Sequence, residues 1–395
     1  MIRVVHLLDD FAMGGVTRAL SLFEDERILG QAASRVVRMG RGISPAPHLD
    51  CDLIVIHVPP CWSRLPYLAA LRLRNPHARI VQVEHSYTRA FEELKVSSRA
   101  RFRALLQTAA RPVDDVVAVS EAQRRWLAEA GGPVEKLQAI RPWSGRDELY
   151  EVRGLEPRER GPVELVAYGR YSAEKNFAAL IEAMDEFGPG EAALTLFGSG
   201  PEEDALTALA RERANVCMLP ASDAFAARLE SCDAVVVPSR FEAFGLVATE
   251  ARMAGRPVLV ADVDGLPEQV AQGGGLAAPM HDSAGCCRPI CPPWAALRAR
   301  ACAASTMTSL PHGRPSSARP IPRTRTRPVD HRSDLPASEL RPRAPQGPPR
   351  PSPSPGWGRG GFPFGAPPVS AFTHAPQRTR RVRSACSKAA IDPPP

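Results

Sequence analysis

No stretch of the 395-residue chain approaches the roughly 20 consecutive apolar residues that a membrane-spanning helix needs. The longest apolar runs, such as Leu53–Val58 and Ala234–Pro238, have the length of core strands. The first residues, Met1-Ile2-Arg3-Val4-Val5-His6, enter a strand directly and lack the layout of a secretory signal. Cysteines with metal-type spacing are also missing. Cys51, Cys61, Cys217 and Cys232 are unpaired in that sense, and Cys286, Cys287 and Cys291 have no His or Cys partner at zinc spacing. A reducing cytoplasm is the expected compartment.

A basic excess is absent from most of the chain as well. The net charge of +7 at first suggests an anionic partner. Yet residues 285–395 hold 18 of the 50 basic residues and 4 of the 43 acidic ones, which leaves a net charge of −7 for residues 1–284. Nucleic acid is therefore not expected as a partner. The same tail carries 23 of the 41 prolines, in words such as Pro348-Pro-Arg-Pro-Ser-Pro-Ser-Pro355. It has too few apolar residues to offset the entropy of ordering, so 285–395 is expected to be a disordered Pro/Arg-rich tail. The change is abrupt and falls inside Gly275-Leu-Ala-Ala-Pro-Met-His-Asp282, as an out-of-frame reading of a GC-rich gene would produce. A disordered basic extension is the alternative.

What is present before the tail is an alternation of strands and helices. Strands are predicted at Ile2–Leu8, Arg35–Met39, Leu53–Val58, Arg79–Glu84 and Val116–Ser120, with helical segments between them. A Pro- and charge-rich stretch, 151–162, reads as a linker. The pattern restarts with strands at Glu164–Tyr168, Ala193–Phe197, Val216–Leu219, Ala234–Val237 and Val258–Ala261. Helices are predicted at Phe177–Met184, Glu202–Arg213, Ala224–Ser231 and Phe244–Ala254. The fold class is α/β. Two Rossmann-like doubly wound domains, 1–150 and 163–284, face a cleft at the carboxyl ends of their sheets.

The most specific segment runs from Asp233 to Pro257. Pro238 and Gly245 place Glu242 in a loop and Glu250 inside the following helix. The Phe244-Gly245-Leu246 amides form the helix N-terminus, whose unpaired N–H groups and positive dipole end suit a diphosphate. A carboxylate placed like Glu250 can accept paired ribose hydroxyls. After the first strand of this domain comes Gly169-Arg170-Tyr171-Ser172-Ala173-Glu174-Lys175-Asn176, in which Arg170 offers a fork of donors and Lys175 a point charge. Phe197-Gly198-Ser199-Gly200 is a tight turn at another strand end.

In this order the segments resemble the donor half of glycosyltransferase family 4, the retaining nucleotide-sugar enzymes of GT-B fold. The matching motifs are Gly169-Arg170…Glu174-Lys175-Asn176, Gly198-Ser199-Gly200, Glu242…Glu250, Gly255-Arg-Pro-Val258 and Gly265-Leu-Pro-Glu268, within residues 1 to about 282. The resemblance implies that Arg170 and Lys175 grip the donor phosphates, Glu250 the ribose, and Glu242 the transferred sugar. It also implies that Gly14 and Gly15 approach the phosphates and that His85 contacts the donor sugar in the cleft. No cofactor and no metal are expected from it. Asp9-Asp10 and Asp114-Asp115 have no partners at ligand spacing. His57 ends a strand and is ambiguous, and Arg141–Asp147 departs from the family pattern, so nothing carries over there.

The expected activity is transfer of a sugar from a nucleoside diphosphate to a hydroxyl of a glycan, polysaccharide or lipid-linked acceptor. A sugar-nucleotide epimerase or hydrolase, or an inactive nucleotide-binding chain lacking its terminal helices, are the alternatives. The stretch 91–111 interleaves Lys95, Arg99, Arg101, Arg103 and Arg111 with Phe91, Leu94, Phe102, Leu105 and Leu106. It reads as a basic amphipathic helix able to lie on the inner face of the plasma membrane, or as an ordinary helix at the acceptor cleft.

Overall fold

A computed structural model of the chain describes residues 1–279 apart from 12–13, 41–45, 156–160, 189 and 222–224. The tail at 285–395, whose disorder is expected from sequence, lies outside the described residues.

The first sheet contains β1 (Ile2–Leu8), β2 (Ala32–Arg38), β3 (Leu53–Ile56), β4 (Arg79–Glu84), β5 (Asp115–Ala118) and β6 (Leu137–Ala139). Helices α1 (Gly15–Ala19), α2 (Glu26–Leu29), α3 (Leu65–Arg74), α4 (Arg89–Lys95), α5 (Arg99–Ala109) and α6 (Glu121–Glu129) are interleaved with it. The second sheet contains β7 (Val163–Arg170), β8 (Ala192–Ser199), β9 (Val216–Pro220), β10 (Ala234–Val237), β11 (Val258–Ala261) and β12 (Gly275–Ala278). Its helices are α7 (Phe177–Ala183), α8 (Glu203–Arg211), α9 (Phe225–Glu230), α10 (Leu246–Met253) and α11 (Leu266–Val270).

Every strand pair in both sheets is parallel. The reason is visible in the strands themselves. Runs such as Ala234-Val-Val-Val237 and Val258-Leu-Val-Ala261 are buried throughout, which requires cover on both faces. Two apolar clusters flank the second sheet, one around Val235, Val237 and Val260, the other around Leu165, Leu194 and Ile181. The helix starts are capped locally: Thr88 accepts from the Phe91 N–H at 3.1 Å and Ser120 from that of Gln123 at 3.2 Å.

Strand order decides where ligands can go. The first sheet runs β2-β1-β3-β4-β5-β6 and the second β12-β11-β10-β7-β8-β9. The winding direction reverses between β1 and β3 in one and between β7 and β10 in the other. Adjacent loops leave in opposite directions there and open a crevice at the carboxyl ends.

The segment 91–111 needs correction. It is not one helix but two, α4 and α5, broken around Val96–Ser98. Phe102, Leu105 and Leu106 are buried in the first domain's core and Phe91 packs against it; of the five apolar residues Leu94 alone is exposed, so no continuous apolar face is offered to a membrane. Among the described residues no helix is long and apolar enough to cross a membrane.

Candidate active site

Both crevices open into one cavity of about 800 Å³, large enough for a nucleotide sugar. Gly14, Gly15, His57 and His85 line it from the first domain; Arg170, Lys175, Gly198, Glu242, Phe244, Gly245, Leu246 and Glu250 line it from the second. All eleven residues expected at the site therefore share one space.

The paired glutamates sit in different surroundings. Glu242 lies in the loop after β10, half-buried, with Oε2 2.5 Å from Lys175 Nζ and 3.2 Å from Ser239 Oγ. Lys175 reaches it from the turn after β7, where Asn176 adopts a left-handed conformation (φ 56°) and opens α7. Arg170, at the end of β7, is exposed. Gly198 is glycine because a Cβ there would lie 2.0 Å from the Gly169 carbonyl oxygen.

Glu250 is buried inside α10. Its Oε2 accepts from the Tyr168 hydroxyl at 3.0 Å, while Oε1 is 3.3 Å from Arg18 Nη2 and 3.6 Å from Arg146 Nε. Burial raises its pKa against the pull of the two guanidinium groups. Oε1 makes ion pairs but, among the described residues, no hydrogen bond. A buried carboxylate oxygen in that state favours a ligand hydroxyl. Gly245 caps α10 at φ 89°, and a Cβ on it would meet Leu266 Cδ2 at 2.4 Å. The helix begins at Leu246, two residues later than the sequence suggests.

Two carboxylates cross the domain boundary. Asp264 accepts from the Ala90 N–H near the start of α4 at 3.1 Å and from the Glu242 N–H at 3.1 Å. Glu268 accepts from Ala122 at 2.5 Å and Glu121 at 3.2 Å, two of the unpaired N–H groups opening α6. Apolar contact among Val119, Ala243 and Phe244 joins the same surfaces.

On the first domain, Glu84 is buried and accepts from the Ser86 and Tyr87 N–H groups at 2.8 and 3.0 Å, which fixes the turn carrying His85. Burial pushes Glu84 up to about 7. His85 Nε2 lies 3.1 Å from His57 Nδ1, and His57 Nε2 lies 3.0 Å from His6 Nδ1. The acidic pairs are otherwise engaged. Asp9 pairs with Arg64, Asp114 with Arg72 and Asp115 with Arg79. Among the described residues no group of three His, Cys, Asp or Glu side chains could hold a metal ion.

Sequence reasoning missed Arg146, Arg18, Asp264, Glu268 and His6. Arg146 lies in the stretch from which nothing was carried over, yet its guanidinium stands beside Glu250 and 4.1 Å over the Phe225 ring. Arg18 follows Gly15 by three residues and Glu268 closes the quoted Gly265-Leu-Pro-Glu268 motif, but neither carried a role, and the contact that reveals Glu268 spans 146 residues.

Two doubly wound domains facing one cavity define the class: this is a GT-B fold. Comparison with solved structures agrees. The chain superposes on sucrose-phosphate synthase from Thermosynechococcus elongatus with a TM-score of 0.58 at 18% identity, covering 78% of this chain and 94% of that one. For Anabaena Alr3699/HepE, solved in complex with UDP and glucose, the values are 0.54, 19%, 78% and 95%. The family model of glycosyl transferases group 1 matches residues 154–285, about a third of the chain, and that segment is similar to the family. Among curated proteins, glycogen synthase of Mycobacterium tuberculosis (strain ATCC 25618 / H37Rv) is 34% identical over 187 residues, 44% of either chain. D-inositol 3-phosphate glycosyltransferase of Nocardia farcinica is 37% identical over 197 residues, 43% of either. The chain thus spans less than half the length of these curated relatives.

Proposed function

We propose that the chain transfers a sugar, with retention of configuration, from a nucleoside diphosphate to a hydroxyl of a glycan, polysaccharide or lipid-linked acceptor. One observation carries the reading. A buried, ion-paired carboxylate with one oxygen that has no hydrogen bond among the described residues (Glu250) and a half-buried carboxylate–ammonium pair (Glu242 and Lys175) face the same cavity at opposite ends of α10's first turns. The first suits ribose hydroxyls, the second the junction between phosphate and sugar.

In this reading Arg170, Lys175 and the amides at Gly245 and Leu246 stabilise the leaving diphosphate, where charge develops during transfer. The Lys175–Glu242 pair opens as the donor enters: the ammonium turns to phosphate and the carboxylate accepts sugar hydroxyls. Gly14 and Gly15 leave room for the phosphates beneath the first domain, and His85 faces the sugar. The UDP and UDP-glucose complexes solved for Anabaena Alr3699/HepE support a nucleoside-diphosphate donor and leave the acceptor open. Incubation with UDP-glucose and related donors, with and without candidate acceptors, tests the proposal. A glycoside with the donor's anomeric configuration is the expected product; release of free sugar alone would contradict it.

A further inference from the structure

His6, His57 and His85 come from three adjacent strands, β1, β3 and β4, or from the residue just beyond them. Their rings run in file across the carboxyl edge of the sheet, with centroids 5.2 and 5.4 Å apart. The links are nitrogen to nitrogen, 3.0 Å from His6 Nδ1 to His57 Nε2 and 3.1 Å from His57 Nδ1 to His85 Nε2. Those separations are hydrogen bonds and leave no room for a cation between the rings. Burial holds all three neutral, at about 4 for His6 and His85 and about 2 for His57.

A neutral imidazole has one N–H and one acceptor nitrogen. A hydrogen bond at each link then admits only two arrangements. If His6 donates from Nδ1, His57 must donate from Nδ1 to His85, and His85 keeps its proton on Nδ1. If His85 donates from Nε2, His57 donates from Nε2 to His6, and His85 Nδ1 is a bare acceptor. A mixed arrangement breaks a link or sets two N–H groups against each other. The far end of the file is His6 Nε2, buried and without a described hydrogen-bond partner, beside the Phe23 ring at a centroid distance of 4.6 Å. The near end is His85, in the cavity wall.

We propose that His57 and His6 are positioning residues that lock His85 into one tautomer, so that the hydrogen-bonding character of its cavity-side nitrogen is decided at the buried end of the file. The ring presented to the ligand is thereby a fixed neutral dipole, oriented before binding, instead of a mixture of donor and acceptor forms. Preorganised dipoles of this kind cost no reorganisation when charge develops in the reacting sugar. The relevance to catalysis rests on the proposed placement of His85 at the donor sugar; the tautomer lock itself does not.

The test uses the full chain with 15N-labelled histidine and no ligand. Long-range proton–nitrogen correlations at neutral pH report which ring nitrogen carries the proton, with signals assigned by single substitutions. All three rings are expected in the same tautomer, each essentially unmixed. His6→Phe keeps an aromatic ring in place but removes the far link. It should shift the tautomer balance of His85, which His6 never touches, and His57→Phe, which removes the link to His85 itself, should shift that balance too. Unlike tautomers in the unsubstituted protein overturn the proposal, as does a His85 signal unmoved by both substitutions. A merely structural role for His6 would leave that signal unchanged. UDP-glucose binding unaltered in His85→Ala would instead contradict the placement of His85 at the sugar, while the ligand-free measurement still decides the lock.

Discussion

Asp264 holds the backbone of Glu242: its Oδ2 accepts the Glu242 N–H at 3.1 Å, while Oδ1 accepts the Ala90 N–H of the first domain. The loop that carries a site carboxylate is thus pinned to the opposite wall of the cavity. Asp264 itself sits at φ 48°, a conformation that Asp tolerates better than most residues and Gly tolerates freely.

Replacing Asp264 with Gly removes these two hydrogen bonds and a third with the Thr88 side chain, without adding backbone strain. A hydrogen bond to a charged group contributes about 1.5–3 kcal/mol, so the unfolding midpoint should fall accordingly. The two domains should also part more readily, enlarging the radius of gyration seen by small-angle scattering. Unchanged scattering together with an unchanged midpoint would show that Asp264 is not the tether.

The two glutamates should respond to different parts of a donor. Glu250→Gln should weaken UDP and UDP-glucose by similar factors, because ribose is common to both. Glu242→Gln should weaken UDP-glucose more than UDP. Each loss should lie near 10- to 150-fold, the equivalent of about 1.5–3 kcal/mol. Calorimetric titration with both ligands reads the pattern, and equal losses for the two ligands in both variants would refute the division of roles.

Stability should fall steeply in mild acid. Unfolded histidines protonate near 6.5, whereas burial keeps His6 and His85 neutral to about 4 and His57 to about 2. Between those values the unfolded state binds more protons, so stability rises with pH, by up to about 1.4 kcal/mol per unit for each group. Glu84 opposes this. Its folded pKa of about 7 stands above the ordinary 4.5, so it contributes a loss as pH rises through that window. Glu250 and Asp264, which burial also raises, act in the same sense, and the three histidines, protonated in the unfolded chain across this window, outweigh them. Urea midpoints measured from pH 4.5 to 6.5 should increase, and a flat or falling series would contradict the buried neutral file.

Much of this was legible before any coordinates. Ala234–Val237 and Val258–Ala261 form strands at the positions read from sequence, because strands buried on both faces appear as unbroken apolar runs; Arg79–Glu84 does so as well, with alternating burial. β6 was not legible: Leu137-Gln-Ala139 is three residues long with an exposed centre. Glu242 and Glu250 could be assigned to loop and helix because Pro238 and Gly245 punctuate the chain between and before them. Their partners could not. Arg146 meets Glu250, Glu268 meets the start of α6, and His6 meets His57 only through strand order and the facing of two sheets, which no local pattern encodes. The break between α4 and α5 escaped notice because apolar residues recur on both sides of it.

The most direct test of the account is donor affinity in Lys175→Ala. The ammonium lies 2.5 Å from Glu242 in a cavity shared with Glu250, and the account requires it to meet the donor diphosphate. Titration of a panel of nucleoside diphosphate sugars against the unsubstituted chain should find at least one ligand. The same ligand should bind roughly 10- to 150-fold more weakly to Lys175→Ala. Absence of binding by every member of the panel, or an affinity that the substitution leaves unchanged, would contradict it.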